Sequence, residues 1–157
     1  LVFDGRCLYG MIRKGKLRDL DTIVEYNYNL AKETENLELD KDILKKGVEK
    51  ALSDDKNGVY FVYEKDDMVV GQMMLTREWS DWRNANYWWI QSVYVNKDYR
   101  GQGIYKKLFG YVKSAADSED NVYSLRLYVE KNNERAKRTY KSLGMDETYY
   151  LVYEIKK

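Results

Sequence analysis

The segment from residue 93 to residue 105 constrains the fold most strongly, because it joins a strand to a helix through a glycine loop. An apolar alternation typical of a strand is followed by a short polar turn, and Gly101 and Gly103 stand just before a helical pattern. The first N–H groups of a helix have no partner within the helix, and the helix dipole makes them partly positive. Glycine lets phosphate oxygens approach such groups. We therefore predict an anion site here, with Arg100 and Lys106 adding positive charge.

The apolar periodicity along the rest of the chain predicts a mixed α/β fold. The predicted strands are 11–13, 59–64, 68–75, 85–95, 122–129 and 145–155, and the predicted helices lie around 20–31, 44–52, 104–116 and 133–143. Residues 76–84 read as a polar loop. The helix after Gly103 joins two strands that should lie parallel, because such crossovers are right-handed connections between parallel neighbours.

Length and charge exclude several classes of protein. The chain has 157 residues, which predicts one domain over residues 1–157, and residues 1–10 are interpreted as a possible extension upstream of Met11. With 27 basic and 26 acidic residues the net charge is +1, so we expect no binding to nucleic acid or membranes. The first ten residues lack the features of a signal peptide, which predicts a cytoplasmic protein.

Two scarce residue types limit the chemistry. The chain has no histidine, which excludes a Ser-His-Asp triad, a Cys-His pair and histidine metal ligands, and we expect no metal. Its single cysteine, Cys7, cannot form an internal disulfide, in agreement with a reducing cytoplasm. Proton transfer must therefore use carboxylates, tyrosine, lysine or water.

A second motif changes the interpretation of the glycine loop, which alone is compatible with a simple tight turn. Asn133, Ala136, Tyr140 and Gly144 form the pattern Asn-x-x-Ala-x-x-x-Tyr-x-x-x-Gly downstream of residues 100–104. The two motifs together resemble those of the GCN5-related N-acetyltransferase (GNAT) family. The resemblance implies a mixed, mostly antiparallel sheet of six to seven strands with about four helices. It also implies that strands four and five are parallel and splayed.

The resemblance also implies an acetyl-CoA site. The glycine loop would bind the coenzyme A pyrophosphate, although Tyr105 stands where the family usually has Gly or Ala. The pantetheine would lie along strand four. Lys106 and Lys107 are candidates for the 3′-phosphate, with a solvated helix face as the alternative. The implied cofactor-binding residues are Val93, Tyr94, Val95, Arg100, Gly101, Gln102, Gly103, Ile104, Tyr105, Lys106 and Asn133.

The catalytic groups are assigned partly by resemblance. Tyr140 would be the general acid that protonates the thiolate, with packing in the core as the alternative. Many relatives carry a carboxylate on strand four, where this chain has Gln91 or Ser92, and neither is a base at neutral pH. The nearest carboxylates are Glu78 and Asp81, which are candidates for the base. The alternatives are a purely structural hairpin loop and a water molecule relayed by the strand-four residues.

These features predict an N-acetyltransferase that moves the acetyl group of acetyl-CoA directly to a primary amine of a small molecule. The only cysteine lies outside both motifs, so no thiol intermediate is expected. Glu78 and Asp81 alternate with Trp79 and Trp82, a combination that suits a cationic amine. The alternatives are a peptide or protein amine as acceptor, or a non-catalytic acyl-CoA-binding module. A homodimer is a further option.

Overall fold

The computed structural model describes residues 10–157, so Cys7 and the proposed extension up to residue 9 lie outside the described residues. The chain divides into two compact units, of which the first ends at Leu127 and the second is Tyr128–Lys157. Each unit is described by itself, and the assignment of one domain to residues 1–157 stays a prediction. No helix within residues 10–157 has the length and apolar character needed to span a membrane.

The first unit is built on one mixed sheet in which the strands follow one another in chain order. The first four strands pair antiparallel, and the fourth and fifth pair parallel. This confirms the predicted fold class, including the parallel pair. The strands are β1 (Met11–Lys14), β2 (Val59–Lys65), β3 (Met68–Ser80), β4 (Ala85–Val95) and β5 (Val122–Leu127).

The predicted loop at residues 76–84 is wrong in its first half, because β3 continues to Ser80. Thr76 lies opposite Trp89 and Glu78 lies opposite Tyr87, so the polar residues of β3 pair with aromatic residues of β4. Such cross-strand neighbours stabilise a strand whatever its own composition. Only a short turn remains, and it ends at Asn84, which has a left-handed φ of 48°.

The predicted count of six to seven strands is also wrong, since the described residues contain five. The missing strands were expected at residues 145–155, which carry no strand pairing. Tyr153 and Ile155 in this segment are 89% and 96% exposed. The local sequence favours a strand, but a strand exists only where another strand pairs with it, and composition does not supply that partner.

Helices cover both faces of the sheet. Tyr60 and Val62 of β2 belong to the buried cluster formed with the first two helices. Phe61 lies between them in sequence and therefore points to the opposite face, where its ring is 5.4 Å from that of Tyr111 on the third helix. The helices are α1 (Leu20–Glu35), α2 (Lys41–Ser53), α3 (Ile104–Asp117) and, in the second unit, α4 (Glu134–Ser142).

One buried ion pair joins β1 to the start of α1. Arg13 donates from Nη1 to Asp19 Oδ2 at 2.7 Å and from Nη2 to Oδ1 at 2.9 Å, and its Nε donates to Glu64 Oε2 at 2.8 Å. Asp19 is only 5% exposed. Burial acts to raise the pKa of this carboxyl, but the hydrogen bonds from Arg13 and the backbone N–H of Lys16 hold it below its ordinary value.

We predict that Arg13→Leu lowers the free energy of unfolding by roughly 3–5 kcal/mol, because it leaves the Asp19 carboxylate buried without its partner. The neighbouring Lys14→Leu is the control, since Lys14 pairs with Asp55 at 2.6 Å in a half-exposed setting and should cost at most about 1 kcal/mol. The measurement is urea unfolding at neutral pH and in acid. The lowered pKa of Asp19 stabilises the fold above the unfolded pKa, so the deficit of Arg13→Leu should shrink as the pH falls through the folded pKa. Equal losses in the two variants would contradict this role.

Candidate active site

The parallel pairing of β4 with β5 ends part-way along β4. It runs from Asn86 opposite Val122 to Ile90 opposite Leu127. From Gln91 to Val95, β4 pairs only with β3 within the described strands. Beyond Ile90, the edge of β4 that faces β5 therefore has no partner among the described strands. The predicted splaying of strands four and five is this loss of pairing.

A β-bulge in β4 lies just past this point. Met74 is opposite Gln91 and Gln72 is opposite Tyr94, so one residue of β3 faces both Ser92 and Val93. Ser92 has a φ of 50°, in the left-handed region that non-glycine residues seldom adopt. The sequence analysis missed this bulge, and a single serine in an aromatic-rich strand was the only local sign of it.

The glycine loop follows β4 after a single turn of 3-10 helix (Lys97–Tyr99), where the sequence predicts a short polar turn. Gly101 and Gly103 have φ values of 78° and 75°, so both adopt the left-handed conformation that glycine accepts without strain. A Cβ at either position would meet no atom within 4 Å. The glycines are therefore required by the backbone conformation, and the space in front of them is open to a ligand.

Backbone N–H groups converge on this space. Gly103 is the N-cap of α3, and the first helical bond runs from Lys107 N to Gly103 O at 3.0 Å. Within residues 10–157, the N–H groups of Gly101, Gln102 and Ile104 donate to no acceptor of the chain. Unpaired donors at a helix N-terminus form an anion-binding site.

The side chains around the loop are held in place by other parts of the first unit. The Arg100 Nη2 donates to Glu33 Oε2 at 2.9 Å, and its Nε donates to the Val95 carbonyl at 2.9 Å. The Tyr94 hydroxyl donates to Glu33 Oε1 at 2.8 Å. Partial burial acts to raise the pKa of Glu33, but the bonds from Tyr94 and Arg100 lower it, so the carboxylate is charged and anchors the loop to α1.

Two further predicted residues, Tyr105 and Lys106, occupy the first turn of α3. The Tyr105 ring lies 6.3 Å from that of Phe109, so it packs along the helix. Lys106 is exposed, whereas the next residue, Lys107, donates from Nζ to the Tyr63 hydroxyl at 3.2 Å. A cation that the sequence analysis missed, Lys65, lies 3.2 Å from Gln102 Oε1. It is the last residue of β2, which only the folded sheet brings to the loop.

The two candidate carboxylates lie on the β3–β4 hairpin. Glu78 accepts a hydrogen bond from Trp89 Nε1 at 2.5 Å, and Asp81 Oδ1 accepts one from the backbone N–H of Trp82 at 2.9 Å in the turn. Tyr87 is opposite Glu78 and lies five positions before Ser92 on β4, so Glu78 is roughly 16 Å along the strand from the bulge. The two carboxylates are therefore not brought next to the bulge, and their roles stay predictions.

An arginine that the sequence analysis missed completes the surface around Glu78. The Arg126 guanidinium of β5 lies 3.4 Å from the centre of the Tyr87 ring and 5.7 Å from that of Trp89. We call Glu78, Tyr87, Trp89 and Arg126 the hairpin patch. No local signal could have revealed it, because the parallel pairing of β4 with β5 is what brings Arg126 opposite Trp89.

The remaining predicted residues lie in the second unit, on α4. Asn133 is its N-cap, and the Asn133 side-chain oxygen accepts a hydrogen bond from Ala136 N at 3.0 Å. Burial raises the pKa of the Tyr140 phenol above its ordinary value, so the hydroxyl keeps its proton at neutral pH. A neutral phenol is the state that a general acid needs. The roles of both residues stay predictions.

Residues 23–145 match the sequence profile of the Acetyltransferase (GNAT) family. The chain belongs to this family. Its sequence is 54% identical to a possible acetyltransferase from Clostridium difficile 630, whose structure superposes with a TM-score of 0.91 over 94% of this chain and 97% of the other. The prediction of an acetyl-CoA-dependent N-acetyltransferase is thus confirmed at the level of the family.

Two other members are more distant. The thialysine N-epsilon-acetyltransferase of Bos taurus is 35% identical over 79 residues, which cover 50% of this chain and 45% of that enzyme. The match therefore spans less than half the length of this curated relative. A predicted acetyltransferase of Clostridium acetobutylicum, solved with acetyl-CoA, shares the fold with a TM-score of 0.76 at 16% identity, over 93% of this chain and 96% of that one.

We predict that Gly103→Val abolishes the stabilisation of the protein by coenzyme A. A ligand that binds only the folded state adds about 2.7 kcal/mol at a hundred times its Kd, which raises the melting temperature by several degrees. A branched side chain at Gly103 strains the left-handed backbone and fills the open space in front of the amides.

The matched control is Gly110→Val on the same helix, where a Cβ also meets no atom within 4 Å and no left-handed conformation is required. Thermal unfolding is measured for each variant with and without coenzyme A, relative to its own ligand-free melting temperature. If Gly103→Val keeps the full ligand-induced shift, the loop is only a turn.

Proposed function

We propose that this protein transfers the acetyl group of acetyl-CoA directly to a primary amine of a small molecule. The observation that carries the proposal is the continuity between the available edge of β4, from Gln91 to Val95, and the unpaired amides of the glycine loop. The edge suits an extended pantetheine chain, which pairs with a strand as another strand would, and the amides suit a pyrophosphate.

The individual contacts follow from this arrangement. The backbone of Val93, Tyr94 and Val95 would pair with the pantetheine, since the Tyr94 side chain is turned to Glu33 of α1. The N–H groups from Gly101 to Ile104 would hold the pyrophosphate. Further contacts are proposed for the side chains of Arg100, Gln102, Lys106 and Asn133, and for the ring of Tyr105.

The reaction requires a neutral amine, a polarised thioester carbonyl and a proton for the departing thiolate. The amine nitrogen forms a bond to the acetyl carbon, and the bond from that carbon to sulfur breaks. We assign the proton for the sulfur to Tyr140, whose raised pKa keeps it protonated. The proton of the amine passes to water near Gln91 or to one of the carboxylates of the hairpin.

A small cationic amine is the acceptor that the hairpin patch fits best. Glu78 supplies negative charge at the Nε1 edge of Trp89, and this carboxylate is the group that would attract a cationic amine, because the Arg126 guanidinium already lies over the Tyr87 face. The bovine relative carries in its name an acceptor of this kind, an ε-amine on an amino acid. We therefore propose amino acids with side-chain amines, and polyamines, as the substrate class.

Turnover with a panel of amines tests the proposal. We expect release of coenzyme A from acetyl-CoA in the presence of thialysine, lysine or a polyamine, and little release with a peptide that offers only its N-terminal amine. Preference for the peptide would favour a protein amine as the acceptor. Binding of coenzyme A with no turnover of any amine would instead favour a non-catalytic acyl-CoA-binding module.

We expect Tyr140→Phe to lower kcat by about 10²–10⁴-fold, because the thiolate then leaves without a positioned acid. The affinity for coenzyme A should change little. Because the pKa of Tyr140 is raised, we expect kcat of the parent to decrease only above pH 10.0, the ordinary pKa of tyrosine. This decrease at alkaline pH should be absent from the pH–rate profile of the variant. Tyr149→Phe, at a tyrosine that is 86% exposed, is the control. A kcat equal to that of the parent would return Tyr140 to a packing role.

Glu78→Gln and Asp81→Asn are expected to leave coenzyme A binding unchanged and to impair use of the amine. If a carboxylate binds the cation, KM for the amine rises while kcat changes little. If it accepts the proton, kcat falls and the acidic limb of the pH–rate profile flattens. Glu49→Gln, at an exposed site on α2, is the control. Parental kcat, KM and pH profile in both variants would show that the hairpin is structural.

A further inference from the structure

A buried polar network surrounds the bulge of β4. Gln72 of β3 donates from Nε2 to Asn27 Oδ1 of α1 at 2.7 Å and to the Ser92 carbonyl at 3.1 Å. Asn27 in turn donates from Nδ2 to the Tyr60 hydroxyl of β2 at 2.9 Å. Three strands and one helix therefore contribute to a single hydrogen-bond network, which includes the carbonyl of the bulge residue Ser92.

The orientation of the Gln72 side chain is fixed by its neighbours. Both groups close to its nitrogen are oxygen acceptors, so exchanging the amide oxygen and nitrogen would place oxygen against the Ser92 carbonyl. Gln72 is completely buried, and within the described residues its Oε1 has no hydrogen-bond partner. A buried polar atom without a partner is costly, so an apolar residue would serve the core better. Stability therefore does not explain why a glutamine stands at this position. The hydrogen bonds that its nitrogen donates do explain it.

Gln72 holds one peptide unit of the bulge. The C=O of Ser92 and the N–H of Val93 belong to the same planar unit, and in such a unit they point in opposite directions. The Ser92 carbonyl is turned toward Gln72 on β3. The Val93 N–H is therefore turned away from the Gln72 side chain, in the part of β4 that β5 leaves unpaired after Ile90.

We infer that Gln72 is a positioning residue that, together with Asn27 and Tyr60, aims the Val93 N–H at the carbonyl oxygen of the bound thioester. This inference rests on the proposed function. Negative charge develops on that oxygen when the amine attacks, and a donor that is already oriented stabilises it without reorganisation at that moment. The left-handed φ of Ser92 is the conformation that turns the peptide unit, and the network holds it there.

Gln72→Met tests the inference, because methionine has a similar length and donates no hydrogen bond. The affinity for coenzyme A, which lacks the acetyl carbonyl, should stay within about twofold of the parent. The preference for acetyl-CoA over coenzyme A should fall, and kcat should fall about tenfold to a hundredfold, as expected for a displaced group. KM for the amine should change little. Asn27→Leu removes the second acceptor of the Gln72 nitrogen and should act in the same direction.

The control for a general loss of packing is Val62→Ala. Val62 is fully buried and lies opposite Gln72 on β2, so its truncation should lower the melting temperature while the preference for acetyl-CoA and kcat remain parental. Parental kcat and parental preference in folded Gln72→Met would overturn the inference, and so would equal losses in Val62→Ala.

A second readout separates this inference from the proposed function. The ¹⁵N–¹H resonance of Val93 should shift when coenzyme A is replaced by acetyl-CoA in the parent, and this difference should be lost in Gln72→Met. If the parent turns over no amine but shows this behaviour, the proposed reaction fails and the positioning role stands. If amines are acetylated and the Val93 resonance does not distinguish the two ligands, the positioning role fails alone.

Discussion

The parallel pairing of β4 with β5 is the constraint on which the site depends. Parallel strands cannot be joined by a tight turn, so the chain must leave the end of β4, cross one face of the sheet as α3 and return. The N-terminus of α3 is thereby placed at the end of β4, where its amides remain unpaired. Since the pairing also stops at Ile90, a strand edge and an anion site follow one another along the chain, and an extended ligand with a phosphate at one end fits both.

The electrostatics of this site come more from the backbone than from side chains. The arginine of the loop, Arg100, is engaged by Glu33 and by the Val95 carbonyl, so much of its charge is compensated. The amides of the loop carry partial positive charge, and within the described residues no backbone acceptor pairs with those of Gly101, Gln102 and Ile104. Arg100 then serves to fix the loop against α1, and Lys65, at the end of β2, adds charge from outside the loop. We therefore expect the loop backbone to contribute more to anion binding than the Arg100 side chain.

Much of the fold could be predicted because it is encoded locally. Strand β4 was predicted with the bounds that the structure has, and α3 followed from the glycine loop and the apolar spacing after it. The bulge at Ser92 could not be predicted, since it arises from the register between β3 and β4. The contact of Gln72 with that bulge needs the packed sheet. The prediction of strands at 145–155 was wrong for a related reason. The local sequence does not show whether another strand will pair with it.

The central claim is that the end of β4 and the glycine loop hold acetyl-CoA through backbone N–H groups. The most direct measurement is a titration of ¹⁵N-labelled protein with acetyl-CoA, followed through the backbone amide resonances. We expect the largest chemical-shift changes at Gly101, Gln102, Gly103 and Ile104 and along residues 93–95. All of these resonances should saturate at the same ligand concentration. Saturable binding that leaves these resonances unchanged would contradict it.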